Sequence, residues 1–137
     1  MSKKAALVIE RVRIDSLALD PANARKHGEK NLDAIKGSLA RFGQQKPIVV
    51  GGDNVVYAGN GTMAAARSLG WTEIDIVRTA LTGTDAVAFC LADNRSSELA
   101  EWDTDILTAT LRSLDALDFD LESIGFDGFD FGVPPAE

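Results

Sequence analysis

Cysteine, histidine and long apolar runs are all scarce in this sequence. Cys90 is the only cysteine among 137 residues, so an intrachain disulfide and a thiolate metal cluster are both excluded. His27 is the only histidine, which leaves little room for a zinc site. No apolar run approaches the roughly 20 residues that span a bilayer, and the apolar stretch within residues 1–10 is too short for a signal peptide. We therefore expect a cytoplasmic protein that meets no membrane.

Positive charge is scarce in the second part of the chain. Residues 1–50 contain ten Lys and Arg against five Asp and Glu, whereas residues 51–137 contain four against sixteen. The first part can face an anion, and the second part repels nucleic acid. Because only one part is basic, we expect DNA binding by this chain alone to be weak and to fall steeply with salt. The length of 137 residues suits one domain with a single core.

The apolar pattern switches between strand and helix periodicity, which predicts an α/β fold. The clearest helix covers residues 29–42, where apolar residues recur at helical spacing and Gly43 follows as a stop. Two β-branched runs at 48–50 and 55–58, joined by a Gly-Gly-Asp-Asn turn, predict a hairpin. The other predicted elements are strands over 6–14 and 74–77 and helices over 62–69, 84–93, 104–116 and 120–124.

The helix starts in the second part of the chain carry capping signals. Thr82 and Asp85 form a capping box before helix 84–93, and Asp103 can cap helix 104–116. Cys90 lies among apolar residues within helix 84–93, so we expect it to fill the core rather than act as a nucleophile.

The sharpest local feature is the strand–turn–helix segment at 56–69, whose turn is Gly59-Asn60-Gly61-Thr62. A helix N-terminus offers unpaired N–H groups, and glycines let a phosphate approach the backbone. Thr62 can cap the helix or bond a phosphate oxygen, while Asn60 tolerates left-handed backbone angles and offers an amide. The alternative is a tight turn with nothing bound. The segment lacks the Gly-Lys-Ser/Thr of a Walker turn and the third glycine of a dinucleotide fingerprint.

Two further segments carry groups that suit phosphate and magnesium. In the loop at 23–27, Arg25 can clamp a phosphate with its planar guanidinium, or the loop is simply solvated. At the end of the next predicted helix, Asp93 and Asn94 are oxygen ligands of the kind that magnesium takes when phosphates complete its shell. The alternative is ordinary helix C-terminal chemistry, with Asn94 as the stop and Arg95 facing the helix dipole.

Taken in order, these segments resemble the ParB/sulfiredoxin-like domain family, which includes the ParB N-terminal and ParB-like nuclease domains. The resemblance covers roughly residues 8–100. The order of its motifs is more specific than any one of them. The motifs are Asn23-Ala24-Arg25, Ser38-Leu39-Ala40-Arg41-Phe42-Gly43, Gln44-Gln45-Lys46-Pro47, Tyr57-Ala58-Gly59-Asn60-Gly61-Thr62, Leu69-Gly70-Trp71 and Ala92-Asp93-Asn94-Arg95.

The resemblance implies a small α/β domain with a mixed sheet, packed helices, a C-terminal helical extension and a nucleotide site. The implied cofactor is a nucleoside triphosphate with Mg²⁺, and the implied magnesium ligands are Asp93 and Asn94. Chromosome-partition members bind CTP and clamp DNA, sulfiredoxins use ATP and a catalytic cysteine, and free serine kinases of this fold transfer a phosphoryl group. The implied nucleotide- and phosphate-binding residues are Arg25, Gln44, Gly59, Asn60, Gly61, Thr62, Asn94 and Arg95.

The sequence departs from each of these subgroups. Partition proteins carry an acid and arginines in the turn motif, where this chain has Asn60-Gly61-Thr62 and then Ala64. The sulfiredoxin cysteine aligns with Asn60, so that activity is not expected. The helix-turn-helix region of partition proteins is replaced by a continuation over 102–126, which resembles ParB-like domains that accompany or are fused to phage DNA methyltransferases.

We therefore expect a phage- or mobile-element-type ParB-like domain over 1–100, a helical extension over 101–125 and an acidic tail or linker over 126–137. The expected function is a nucleotide-binding module that serves DNA modification or other DNA transactions. The alternatives are a nuclease, a nucleoside triphosphatase or a phosphotransferase, and a non-catalytic docking module of a DNA methyltransferase. Expected partners are a nucleotide, weakly held DNA, a DNA-modifying protein such as a methyltransferase, and a second copy in a homodimer.

Overall fold

The computed structural model describes residues 6–23 and 25–127, and within these ranges the chain forms a mixed α/β domain. This confirms the expected fold class. The described strands are β1 (Ile9–Arg13), β2 (Ile48–Val50), β3 (Val56–Ala58) and β4 (Glu73–Arg78). The described helices are α1 (Glu29–Phe42), α2 (Asn60–Ser68), α3 (Gly83–Leu99) and α4 (Thr104–Ala116), with 3₁₀ turns at Ile14–Ser16 and Leu121–Ile124.

The four strands form one sheet in the order β1-β4-β2-β3. β1 is antiparallel to β4, β4 is parallel to β2, and β2 forms the expected antiparallel hairpin with β3. A parallel pair needs a crossover connection, and here β3 and α2 supply it. The crossover places the start of α2 directly after β3, which is an edge strand of the sheet.

The main core lies between the sheet and helices α1 and α2. Ile74 and Ile76 of the central strand β4 are almost fully buried, as are Val50, Val56 and Met63. α1 turns Leu39 toward this core and packs along α2. The sheet and the two helices therefore hold the β3–α2 turn in a fixed position.

Two predicted helix boundaries next to the predicted phosphate-binding residues were wrong. α2 begins at Asn60 rather than at 62, because Gly59 and not Thr62 is its N-cap. α3 continues to Leu99, so Asn94 lies within the helix and is not a stop. Thr82 is the N-cap of α3 but makes no side-chain cap hydrogen bond, whereas the predicted cap of α4 is present: Asp103 accepts from the Ile106 N–H at 3.1 Å.

The segment after α3 packs on α1 through a close helix contact. Gly37 of α1 lies so near the carbonyl of Ser123 that a Cβ at Gly37 would collide with it. The guanidinium of Arg41 also lies 4.0 Å from the ring centroid of Phe119. Leu107, Leu111 and Leu121 form a second small core within this segment. The domain boundaries proposed at 100 and 125 stay a prediction, and the expected tail lies outside the described residues from 128 onward.

Helices capable of crossing a membrane are absent from the described ranges, since no helix there is both long and apolar enough.

Candidate phosphate-binding site

The turn between β3 and α2 depends on a glycine at position 59 for two reasons. Gly59 has a φ of 102°, in the left-handed region that favours glycine. A Cβ on Gly59 would also collide with the side chain of Ile48 on the neighbouring strand β2. The left-handed position in the turn is therefore Gly59, whereas the sequence had suggested Asn60 for it.

Asn60 is buried, and its amide is used by the protein itself. Its Oδ1 accepts a hydrogen bond from the Asp20 N–H at 3.0 Å, and its Nδ2 donates to the Val56 carbonyl at 3.0 Å. These two bonds connect the start of α2 to the loop before α1 and to the first residue of β3. The side chain of Asn60 therefore positions the turn, and the group it can still offer to a ligand is its backbone N–H.

The first turn of α2 presents N–H groups that the helix cannot satisfy. The first bond of the helix runs from the Met63 N–H to the Gly59 carbonyl at 2.9 Å, which leaves Asn60, Gly61 and Thr62 without an intrahelical acceptor. Gly59 has no side chain to cap them, and no acidic residue lies in this turn. The partial positive charge of the helix end is thus available to an anion.

A cavity of about 100 Å³ lies at this helix end and brings together three segments that are distant in sequence. The loop before α1 contributes Asn23 and His27, and α3 contributes Asp93 and Asn94. The remaining lining residues come from α1, β3 and the turn: Ile35, Tyr57, Ala58, Gly59, Asn60, Gly61 and Thr62. The geometry therefore unites the turn with α3 and the preceding loop.

Arg25 and Arg95 lie outside this lining. Arg25 is exposed, and its backbone N–H donates to Asn23 Oδ1 at 3.1 Å, which shapes the loop beside the cavity. Arg95 is exposed on α3 and forms an ion pair with Glu98 at 2.8 Å. Arg25 is thus two residues from His27 in sequence, while the charge of Arg95 is paired along α3 with Glu98.

Gln44 stands at the edge of the site and is committed to the backbone. Its Nε2 donates to the carbonyls of Asp75 at 2.8 Å and Lys46 at 3.0 Å, and its Oε1 accepts from the Asp75 N–H at 2.9 Å. These bonds connect the segment before β2 to β4. In this structure the Gln44 amide holds the wall of a groove and has little capacity left for a nucleotide.

Asp93 and Asn94 offer a small oxygen donor set. Asn94 Nδ2 donates to the Cys90 carbonyl at 3.1 Å, which leaves Asn94 Oδ1 as an acceptor, and Asp93 contributes a carboxylate to the same cavity lining. Across 6–23 and 25–127, no group of three or more His, Cys, Asp and Glu is placed to hold a metal. One carboxylate and one amide oxygen fit a magnesium ion whose shell is completed by phosphate and water, but not an all-protein metal site.

Solved structures similar to this chain include ParB proteins and ParB N-domains. The C-terminally truncated chromosome-partitioning protein ParB from Caulobacter crescentus, complexed with CTP-gamma-S, matches 88% of this chain and 73% of its own at TM-score 0.74 and 19% identity. This chain has a ParB-like fold. The same Caulobacter protein complexed to the centromeric parS site matches at TM-score 0.54 and 18% identity, covering 90% of this chain and 68% of that one.

A further ParB structure is matched over a smaller part of its own chain. The Pnob8-like ParB-N domain matches 82% of this chain but 49% of its own, at TM-score 0.58 and 15% identity. No protein-family model matches the sequence, and no curated protein matches it. At these identities the comparisons establish the ParB-like fold and leave function to the site itself.

Two larger grooves flank the cavity in this ParB-like fold. A groove of about 590 Å³ runs between α1 and β2, past Gln44 and Lys46, and shares Thr62 and Asp93 with the cavity wall. A second groove of about 540 Å³ runs between β3 and α3 and shares Tyr57 with the cavity. A ligand larger than one phosphate group can therefore extend from the cavity in either direction.

Several residues of this region were not predicted as site residues. His27 lines the cavity, and its Nδ1 lies 2.6 Å from Asn31 Oδ1, a pairing across one turn at the start of α1. Loss of hydration, with help from the nearby Asp53 carboxylate, raises the pKa of Tyr57 above its ordinary value. Cys90 is half-buried in the groove beside α3, and desolvation raises the pKa of its thiol, which disfavours the nucleophilic thiolate.

Proposed function

We propose that this ParB-like domain binds the phosphate groups of a nucleotide at the start of α2. The observation that carries the proposal is the convergence of the loop at 23–27, the Gly59–Thr62 turn and Asp93–Asn94 on one cavity. Nothing in the local sequence of any one segment requires the three to meet. The unpaired N–H groups of a helix N-terminus can bind an anion, and the cavity at the start of α2 provides a place for it.

The proposed ligand is a nucleoside triphosphate with Mg²⁺. Asp93 and Asn94 would hold the ion, whose charge neutralises phosphate oxygens when it is bound. Arg25, an exposed residue of the loop that contributes Asn23 and His27 to the cavity, would reach the phosphates from the solvent side. Support comes from the donor set at the cavity and from the CTP-gamma-S complex of the Caulobacter protein that shares this fold.

A binding role is proposed ahead of catalysis. Among the cavity's lining residues in the described part of the chain, Asp93 is the single carboxylate and Cys90 is not a member. His27 is the one imidazole in this lining, whereas a cluster of metal-binding carboxylates next to the bound phosphate would favour a nuclease or phosphotransferase. The proposed role is a nucleotide-dependent module that assists a DNA-acting partner, such as a DNA methyltransferase of phage or mobile-element type.

DNA contact by this chain is proposed to be secondary. The Caulobacter relative is complexed to parS, but this chain carries sixteen acids against four basic residues over 51–137. Such a distribution weakens isolated binding to DNA. A partner, or a second copy in a homodimer, would be needed to strengthen it.

The test is calorimetric titration of the full chain with each nucleoside triphosphate, with and without Mg²⁺. Wild-type protein should bind at least one nucleotide below millimolar concentration. Arg25→Ala and Thr62→Ala should each weaken binding by about tenfold, since each removes a phosphate contact. Asp93→Asn should weaken binding only when Mg²⁺ is present.

Arg67→Ala is the matched control for Arg25→Ala. Arg67 is exposed in the last turn of α2, at the end opposite the cavity, so its loss should leave affinity unchanged. Absence of binding by every nucleotide at millimolar concentration would refute the proposal and leave a protein-docking role. An equal loss in Arg67→Ala and Arg25→Ala would show that only net charge matters.

A further inference from the structure

His27 is the one side chain in the cavity lining that can carry a positive charge. Within the part of the chain that the structure describes, the lining contains no Lys or Arg, and its single carboxylate belongs to Asp93. An anion in this cavity therefore meets the partial positive charge of the helix end and no permanently charged cationic side chain. Any positive charge that the lining itself adds must come from the imidazole of His27.

A hydrogen bond to α1 fixes which nitrogen of His27 carries a proton. Nδ1 of His27 lies 2.6 Å from Oδ1 of Asn31. Because an amide oxygen can only accept, Nδ1 is the donor in this pair. In the neutral ring, Nε2 is then an acceptor with no proton to offer, whereas in the imidazolium both nitrogens donate. Protonation of His27 thus changes Nε2 from a group that repels phosphate oxygens to one that binds them.

The ring of His27 lies beside the N–H groups that an anion would use. A Cβ added to Gly61 would stand 2.7 Å from Cε1 and 2.8 Å from Nδ1 of His27. Nε2 is covalently bonded to Cε1, so it also lies close to the first turn of α2. The N–H groups of Asn60, Gly61 and Thr62 in that turn have no acceptor within the helix. An anion that binds to this turn is therefore a neighbour of the imidazole.

The other charged and titratable groups around His27 come from α3, from β3 and from the chain on either side of it. α3 contributes Asp93 and β3 contributes Tyr57 to the lining, whereas the first turn of α2 contains no charged residue. Exposed charged residues outside the lining flank His27 in sequence: Arg25, Lys26, Glu29 and Lys30. Among all these residue types, histidine is the one whose charge ordinarily changes between about pH 5 and pH 8.

We propose that His27 binds phosphate as an imidazolium and thereby makes the affinity for a nucleoside triphosphate depend on pH. This inference rests on the proposed phosphate site and adds a cationic contact to it. Nδ1 donates to Asn31 while Nε2 donates to a phosphate oxygen. The contact is present below the range in which histidine titrates, and it is lost as the pH rises through that range, because the proton leaves. The domain therefore binds phosphate more tightly in mildly acidic solution.

The experiment is calorimetric titration of the full chain with inorganic tripolyphosphate and Mg²⁺, at about pH 5.5 and about pH 8. This probe carries the phosphate groups without a base. His27→Gln keeps a polar side chain and loses the cation, so it should weaken binding by about tenfold at the lower pH and little at the higher pH. His27→Lys is charged at both pH values and should bind more tightly than His27→Gln at both. Comparing proteins at the same pH cancels the titration of the ligand itself.

Proton NMR gives a second, direct measurement, because His27 is the only histidine in the sequence. In the chain without an affinity tag, tripolyphosphate should move the midpoint of the imidazole titration upward by about one pH unit, which corresponds to the tenfold difference in affinity. Lys26→Gln is the matched control, since it removes a full positive charge next to His27 from an exposed side chain outside the lining. It should leave the dependence of affinity on pH unchanged.

The possible outcomes separate this inference from the proposed function. If wild type binds tripolyphosphate but His27→Gln loses the same fraction of affinity at both pH values, the imidazolium contact is refuted and the phosphate site stands. A midpoint that does not move, or a pH dependence that Lys26→Gln abolishes as fully as His27→Gln does, refutes the contact as well. If wild type binds neither tripolyphosphate nor any nucleotide, both proposals are wrong. Tight binding by His27→Lys guards against a loss in His27→Gln that comes from misfolding.

Discussion

The imidazole of His27 lies directly against the backbone of Gly61. A Cβ on Gly61 would stand 2.7 Å from His27 Cε1, closer than real Cβ atoms come, and 3.0 Å from Ile35 Cδ1, which is a tight contact. The absence of a side chain at position 61 therefore lets the ring lie against the first turn of α2. This glycine and this histidine, 34 positions apart, both line the cavity.

Gly61→Ala should separate binding from stability. The new methyl group must displace the His27 ring and occupy part of the cavity, so phosphate binding should fall by tenfold or more, roughly the loss of one charge-assisted hydrogen bond. Stability should change little, because alanine is favoured over glycine in a helix by about 1 kcal/mol, which offsets the crowding. Calorimetric titration and urea unfolding measure the two effects. Unchanged affinity together with unchanged stability would contradict this account of the cavity.

Asn60→Ala should destabilise the domain. It leaves the Asp20 N–H and the Val56 carbonyl without their partner in a buried place, at a cost of about 1–3 kcal/mol. Urea unfolding should show a lower midpoint with an unchanged slope. Ser16→Ala is a useful comparison, since that exposed side chain makes one hydrogen bond, to the Arg13 carbonyl at 2.6 Å, and its loss should cost less. A loss below about 0.5 kcal/mol for Asn60→Ala would mean that water replaces both bonds.

Gln44→Ala should lower the stability of the domain more than it lowers nucleotide affinity. The substitution removes three hydrogen bonds to backbone groups of Lys46 and Asp75, for an expected cost of about 1–2 kcal/mol. Gln45→Ala is the matched control, because the exposed Gln45 makes a single bond to the Phe42 carbonyl at 2.7 Å. In thermal denaturation, the melting temperature of Gln44→Ala should lie well below that of Gln45→Ala. A reversed order, or a stable Gln44→Ala that cannot bind nucleotide, would make Gln44 a ligand contact instead.

The ion pair between Arg11 and Asp75 predicts sensitivity to acid. The hydrogen bond from Arg11 Nε to Asp75 Oδ1, at 2.9 Å, lowers the pKa of Asp75, against the opposing effect of burial. A lowered carboxyl pKa contributes stability that is present above the unfolded value near 3.9 and is lost as the pH falls through the folded value. Between pH 6 and about pH 3, the free energy of unfolding measured with urea should therefore fall less for Arg11→Gln than for the wild type.

Arg13→Gln provides the comparison for that experiment. Arg13 and Asp15 also form an ion pair, at 2.8 Å, but both side chains are more than two-thirds exposed. Solvent screens such a pair, so its removal should alter the acid response less than Arg11→Gln does. If wild type and Arg11→Gln show the same dependence of unfolding free energy on pH, the ion pair between β1 and β4 makes no measurable contribution to stability.

The elements of the fold were largely predictable because their signals are local. The apolar spacing in α1 ends at Gly43, and the Gly-Gly-Asp-Asn turn joins β2 to β3, as the sequence indicated. The boundaries of α2 and α3 were not predictable in the same way. Position 59 requires glycine, because its backbone is left-handed and a Cβ there would collide with Ile48. The N-cap of α2 therefore falls at Gly59, for a reason that lies on the neighbouring strand. Asn94 resembles a stop signal, yet its amide bonds the Cys90 carbonyl one turn earlier and the helix continues.

For the site, too, the features with local causes were predictable and those with long-range causes were not. The sequence by itself determined that a glycine-rich strand-to-helix turn, a basic loop and an Asp-Asn pair are present, because each is a short pattern of residue types. Only the tertiary structure decided that Asp93 and His27 meet the turn while Arg95 pairs with Glu98 and Gln44 binds the backbone of β4. The physical reason is that a side chain's partner depends on how distant segments pack. The sheet order β1-β4-β2-β3 sets that packing through contacts far apart in the chain.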